Sequence, residues 1–420
     1  MMGLLFALLV VLCGLALNRP LGAPFSLAPV SGLAGIAALT GLATALGLPP
    51  LVRTALVVTL ALTGVAILGR QIPRVLAAAR AARLPAMVLA VAVVIPALML
   101  GASFAGIEAP VSTHDGAFHV ETIDNLRRGV AVATWYPLGF HTSVAAVLGL
   151  VPWLDTASGT PRVAQGLAIL APLAAFGLGL ALGLEAIVAA IGALVLALTW
   201  TYPYDYHLWA GWPQGMGVLL LIGLWATALT WLQRPRLPLA VLGGIFAGAV
   251  VVSHGTEVYS SVLGLAAIVL VRHRHIDTRA LARHLPVAVA TAALISAAYL
   301  PTLLGWAGAG GATAVGQATA DYAAANPDAD AGADWLQYIV GVSGAASLLD
   351  LPLRVGLILL GLSMRRARVA GAVWAAFVIL LLLVDFVDLP PVRSVFVVTY
   401  PWLDHDRPRQ VAVVLASLLV

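Results

Sequence analysis

The sequence predicts an all-α fold, a polytopic bundle of about 12–13 transmembrane helices, and three observations carry that prediction. Hydrophobic residues make up 61% of the 420, charged residues 10%, and mean hydropathy is +1.02. A water-soluble chain of this length could not bury so much apolar surface. Apolar runs recur along the chain, many near the roughly 20 residues that cross about 30 Å of hydrocarbon as a helix. All 22 basic residues are Arg, and 13 of them fall in four groups separated by even numbers of those runs.

The first run, Met2–Leu17, has neither a basic leading segment nor a small-residue cleavage site. It reads as a membrane helix, not a cleaved signal. Ser26–Leu48 and Leu51–Leu68 complete an N-terminal three-helix segment, 1–84. Pro85–Gly106 opens the second unit, 85–420. An outer loop, 107–162, follows this fourth span. Within it Leu138–Val151 is 14 residues long and reads as a re-entrant or interfacial segment, because it is too short to cross. Val163–Leu182, Ala186–Trp200, Gly215–Leu232, Leu239–Val252, Val258–Val271, Leu285–Leu304, Ala346–Leu362 and Val369–Val384 continue the bundle. A last run starts at Val411 and reaches only Val420, so the pattern predicts a chain truncated in its final span.

Arg70, Arg74, Arg80 and Arg83 form one basic loop, and Arg234 with Arg236 a second. Arg272, Arg274, Arg279 and Arg283 form a third, and Arg365, Arg366 and Arg368 a fourth. The positive-inside rule places all four in the cytoplasm and the N-terminus outside. Topology thus accounts for the net charge of +4 and the pI near 9.5 without a nucleic-acid partner. The lone Cys13 excludes an internal disulfide and any cysteine-based metal site within the chain. Trp306–Asp334 is an Ala/Gly/Asp-rich stretch that reads as a linker or as a lid over a site.

Most acids and histidines fall in the outer segments. The densest cluster is "STHDGAFHVETIDNLRRG", Ser112–Gly129. Ser112 or Thr113 can cap a helix opening at His114, with Asp115 near its positive end and Gly129 as its stop. Asp115, His119 and Thr122 then share one face at i, i+4 and i+7, whereas Glu121, Asp124 and Arg128 point elsewhere. That geometry sets a carboxylate beside an imidazole, which suits proton transfer; an acid in the first turn of a helix is also ordinary capping. "WYPLGFH" adds interfacial aromatics and His141. "TYPYDYHLWAGWPQG" offers Asp205, His207 and Trp209, a mixture that suits sugar binding or a membrane boundary. "SHGTE" sets His254 and Glu257 between two spans, where they bind substrate or pair with each other. "YPWLDHDRPRQ" carries Arg407, and Arg393 stands just upstream; Arg matches phosphate geometry. Asp350 and Arg354 read as an ion pair on one helix. His114, Asp115 and His119 could supply ligands to a divalent metal, although no H-E-x-x-H pattern is present and metal dependence stays open.

A multi-pass chain with an Asp in a large outer loop followed by interfacial helices resembles the GT-C superfamily of membrane glycosyltransferases. The strings "HDGAFHVETIDNL…WYPLGFH" and "PWLDHDRPR" look especially like a group of large actinobacterial multi-pass proteins placed near that superfamily. The resemblance covers Pro85 to the end and implies a GT-C-like fold with interfacial helices after span four. It further implies an inverting transferase in a bacterial plasma membrane, with its site facing outward. The donor would be a polyprenyl-phosphate sugar and the acceptor a cell-envelope glycan, lipid or protein. Asp115 would be the general base and His119 its catalytic neighbour. His114, His141, Asp205, His207, Trp209, His254, Glu257, Arg393 and Arg407 would contact substrate. The rival readings are a transporter or flippase of a lipid-linked or small polar substrate, and a non-catalytic partner in envelope assembly.

Overall fold

The structure, a computed structural model, describes residues 2–104, 114–132, 134, 136–199, 202–300, 302, 304, 347–364, 367–385 and 406–419. Among the described residues every regular element is helical. In chain order these are α1 (Met2–Leu21), α2 (Ala28–Ala45), α3 (Pro50–Ala81), α4 (Arg83–Phe104), α5 (His114–Arg127), α6 (Gly139–Leu148), α7 (Thr156–Leu182) and α8 (Ala186–Ala197). Then come α9 (Trp212–Gln233), α10 (Leu237–Ser253), α11 (Thr256–Arg272), α12 (Thr278–Ser296), α13 (Ser347–Ser363), α14 (Arg368–Asp385) and α15 (Asp406–Leu419).

Among the described residues six segments are long and apolar enough to cross a membrane: α1, α2 with the short turn before it, α3, most of α4, α7 and α9. A further six apolar helices span 10–17 residues, α6, α8 and α10 among them. The sequence count of 12–13 therefore divides into six full-length helices and a set of shorter ones. α11 and α12, expected as spans, are more polar. α11 opens with Glu257, Ser260 and Ser261, and α12 carries Arg279, Arg283 and His284 in its first two turns.

Helices α7 and α9 form the packed centre, most of their residues buried. α1, α4 and α8 pack on α7, α10 and α11 on α9, and α2 bridges α1 to α10. α3 and α4 lie at the periphery, and Leu51, Leu62, Leu84, Met87 and Leu98 stand exposed on them. An apolar surface of that kind is stable against lipid tails and not against water. α1, α2 and α3 meet backbone to backbone. A methyl at Gly14 would strike Ala28, one at Gly32 the Val10 carbonyl, and one at Gly64 the Leu12 carbonyl. Small residues at such crossings give membrane helices their close packing.

Three boundary expectations change. α3 runs 32 residues, so Arg70, Arg74 and Arg80 extend a helix instead of forming a loop with Arg83. At about 48 Å it is longer than the roughly 30 Å of a hydrocarbon core. Arg162 lies in the second turn of α7, whose N-cap is Asp155, its carboxylate accepting from the Ser158 amide at 2.8 Å. The final helix begins at Asp406 and not at Val411.

Candidate functional site

Helix α5 ends as the sequence predicts. Gly129 takes a left-handed φ of 76°, and the Val130 amide donates back to the Asn125 carbonyl at 2.9 Å. This glycine-terminated cap fixes where the helix stops. Its polar groups then divide into two sets. Asp124, Arg127 and Arg128 bind the helix in place: Thr156 donates to Asp124 at 2.9 Å, Arg127 donates to Thr156 at 2.9 Å, and Arg128 pairs with Asp124 at 3.0 Å. His119 and Thr122 turn inward and are buried, with Ile123 and Leu126 beside them. Asp115, one turn before His119, stands exposed at the start of that inward face.

α6 is ten residues long and every one is buried, so this segment does not lie on the surface. It brings His141 against α5, where His119 Nδ1 and His141 Nε2 are 2.9 Å apart in a hydrogen bond. The ring of Tyr136 lies 5.5 Å from His119, 5.7 Å from His141 and 5.9 Å from His254. Phe118 and Trp212 close on His119 from other directions.

His254 is the C-cap of α10, and Glu257 falls in the first turn of α11. The His254 Nδ1 and the Glu257 carboxylate are directly hydrogen-bonded, both buried. Thr256 donates to Glu257 Oε2 at 2.9 Å and lies 2.8 Å from His254 Nδ1. A carboxylate on Nδ1 orients an imidazole and leaves Nε2 for a ligand. The sharp connection between α10 and α11 makes this cluster possible, because it places both side chains within one bend.

Burial, then the imidazoles of His141 and His254, push the His119 pKa down to about 2. Burial holds His141 at about 3, against an opposing pull from the Pro137 carbonyl. Burial likewise lowers His207 to about 3. These rings stay neutral at physiological pH and act as hydrogen-bonding groups, not as charges.

The 202–207 turn joins the cluster from the side. Burial, and then the Glu257 carboxylate, raise the Tyr202 phenol, which puts that ring within electrostatic reach of Glu257. Asp205 accepts from Gln410 Nε2 at 3.3 Å, and Gln410 accepts from Gln214 Nε2 at 3.3 Å, linking the turn to α9 and α15. Trp209 packs on Tyr206 with ring centres 5.9 Å apart. The structure therefore gathers His119, His141, His254 and Glu257 and sets Asp205, His207 and Trp209 beside them. Asp115 is at the margin.

Other expected residues lie outside the described positions or side chains. Arg393, His405, the Ser112–Thr113 cap, Trp135, and the 306–334 stretch are outside, as are the side chains of His114, Arg407 and Asp350. Arg354 donates to Thr199 at 3.2 Å. Among the described residues no three His, Cys, Asp or Glu side chains are disposed to hold a metal ion.

Two residues of this end escaped the sequence reading. Tyr136 sits at the centre of the ring contacts, and its only sequence signal was the aromatic string it belongs to. Arg53 is buried at 3% exposure. Its signal was a single Arg inside an apolar run, Leu51–Leu68, which by itself marks a functional candidate.

Three successive helices share a polarity. α9 runs from Trp212 to the Arg234 cap, α10 from Arg236 to His254, and α11 from Glu257 to Arg272. Each has the histidine cluster at one end and arginine at the other, and none bears a charge between. Comparison with protein-family models, with curated proteins and with solved structures finds no match.

Proposed function

We propose that the chain is a GT-C-like membrane glycosyltransferase that moves a sugar from a polyprenyl-phosphate donor to a cell-envelope acceptor on the outer face of a bacterial plasma membrane. The observation that carries the reading is the polarity of α9, α10 and α11. Arginine at one end of each helix supports a cytoplasmic position for that end by the positive-inside rule, and so an outer-leaflet position for the cluster of His119, His141, His254 and Glu257. Nucleotide sugars are confined to the cytoplasm, so transfer at that leaflet calls for a lipid-borne donor. The shorter helices α8, α10 and α11 then cross too, in a bundle whose neighbours cover their ends.

In the reaction Asp115 takes the proton of the acceptor hydroxyl, and the acceptor oxygen attacks the anomeric carbon. The bond from that carbon to the phosphate oxygen breaks, and its electron pair leaves with the polyprenyl phosphate. His119, neutral and tied to His141, orients the acceptor and does not compete for its proton. His254, fixed by Glu257, contacts the donor; Arg393 and Arg407 hold the phosphate. A transporter instead needs ionisable groups along its path, and α9–α11 hold theirs at the ends.

The test uses purified protein in proteoliposomes with radiolabelled polyprenyl-phosphate sugars and envelope glycans. The wild type transfers label, and Asp115→Asn loses at least about a hundredfold in rate, the share that proton transfer contributes. His254→Ala raises the donor KM. Transfer by Asp115→Asn at the wild-type rate would remove Asp115 from the mechanism. Inactivity toward every donor, together with substrate uptake, would favour the transporter.

A further inference from the structure

The turn between α2 and α3 holds a cavity of about 300 Å³. Arg53 lines it together with Thr44, Leu126, Gly139, Thr142 and Val252. The guanidinium donates to Thr44 Oγ1 at 3.0 Å and to the Leu126 carbonyl at 2.6 Å. Both acceptors are neutral, and no carboxylate pairs with Arg53 among the described residues. A guanidinium has five N–H donors, so two bonds leave part of the fork unused. A buried cation without a counter-charge is an expensive feature to keep unless something anionic completes it.

The surroundings add positive potential. α6 starts at Gly139 on the cavity wall, so its first-turn amides border the space; α3 starts there too and adds its dipole, but Pro49 and Pro50 supply no N–H. Anions are favoured at such starts. The remaining walls are mostly apolar: Leu48, Val132, Leu138 and Ala298 among them. We propose that this cavity binds a phosphate group, held by Arg53 and the start of α6, with the apolar walls taking whatever chain the phosphate carries. A lipid phosphate head and free phosphate share that chemistry. The site is separate from the histidine cluster but adjoins it. Gly139 and Val252 line the cavity, while His141 and His254, each two residues on, belong to the cluster. The proposal does not require glycosyl transfer.

The test is thermal stability of the full chain in neutral detergent, titrated separately with inorganic phosphate, phosphatidic acid, a polyprenyl phosphate and diacylglycerol. At least one phosphate compound raises the unfolding midpoint saturably, and diacylglycerol does not. A response to inorganic phosphate identifies a site reached from water; a response to lipid phosphates alone identifies a headgroup source. Arg53→Gln weakens binding about tenfold or more, the loss of one charge-assisted contact, and Arg53→Lys retains part of it. Because Arg53 also ties α2 and α3 to α5, Arg53→Gln could fail to fold. Val132→Trp then carries the test, since it fills the space and leaves the Arg53 side chain and its two acceptors unsubstituted, and it too abolishes the shift. No shift with any phosphate compound, an equal shift with diacylglycerol, or an undiminished shift in Val132→Trp overturns the proposal.

Discussion

His119, His141 and His207 are each buried with a pKa near 2 or 3, far below the ordinary 6.5, and this has a measurable consequence. An unfolded chain protonates them near 6.5 while the folded chain does not. Their contribution to stability is therefore complete above about pH 6.5 and declines as pH falls toward 3, by about 1.4 kcal/mol per pH unit for each ring. Thermal unfolding in detergent should show a midpoint that is flat from pH 8 to 7 and drops steeply below 6. In His207→Gln, a residue outside the central histidine cluster, the acid slope should be shallower. An unchanged slope would mean that its ring is protonated in the folded protein. At this scale the sequence was informative wherever polar residues interrupt apolar runs: "SHGTE" pointed to the His254–Glu257 pair, and "WYPLGFH" to His141. It could not tell that Asp115 stays exposed while His119, four residues on, is buried, because that depends on where α6 docks. Nor could it show that Asp124 and Arg127 are occupied in holding α5 to α7.

At the scale of elements, α6 positions the site more than any other. Its first residue, Gly139, sits where an added methyl would meet Ser253 Oγ and the Val252 carbonyl, both at 2.7 Å. This close approach lets His141 and His254 face Tyr136 together. Gly139→Val should force α6 away from α10, costing about 1–3 kcal/mol as over-packing and lowering any transfer activity with it. Gly69→Val on α3, where nothing lies within 4 Å, is the matched control and should unfold near the wild-type temperature. Equal midpoints for the two variants would contradict the tight α6–α10 junction. Helix existence was readable from apolar length, and the ends were not. α3 continues past Leu68 because Ala, Leu and Arg are good helix formers and nothing there breaks the helix until Ala81. The interior Pro73 is tolerated in that run. The short α6 could be recognised as too brief to cross, but its complete burial arises from packing by α2, α5, α7 and α10.

Across the whole molecule the chain has two chemically distinct ends. One carries the arginines at the ends of α3, α9 and α11 and the starts of α4, α10 and α12. The other carries His119, His141, His254, Glu257 and the Arg53 cavity. The all-helical class and the separation of the two ends were legible in the sequence, since composition and arginine spacing report directly on lipid and on membrane side. Much of the neighbourhood of the polar groups was not, because the junction of α6 with α10 joins residues more than a hundred positions apart. The account depends on which end is outside, and the native chain is suited to asking. Its sole cysteine, Cys13, is buried, so introduced cysteines can be read against little background. Arg128→Cys, exposed at the histidine end, and His275→Cys, exposed at the arginine end, should be expressed in intact bacterial cells and treated with a membrane-impermeant maleimide. The account predicts labelling of Arg128→Cys in intact cells and of His275→Cys only after lysis. Labelling in the opposite order would contradict it.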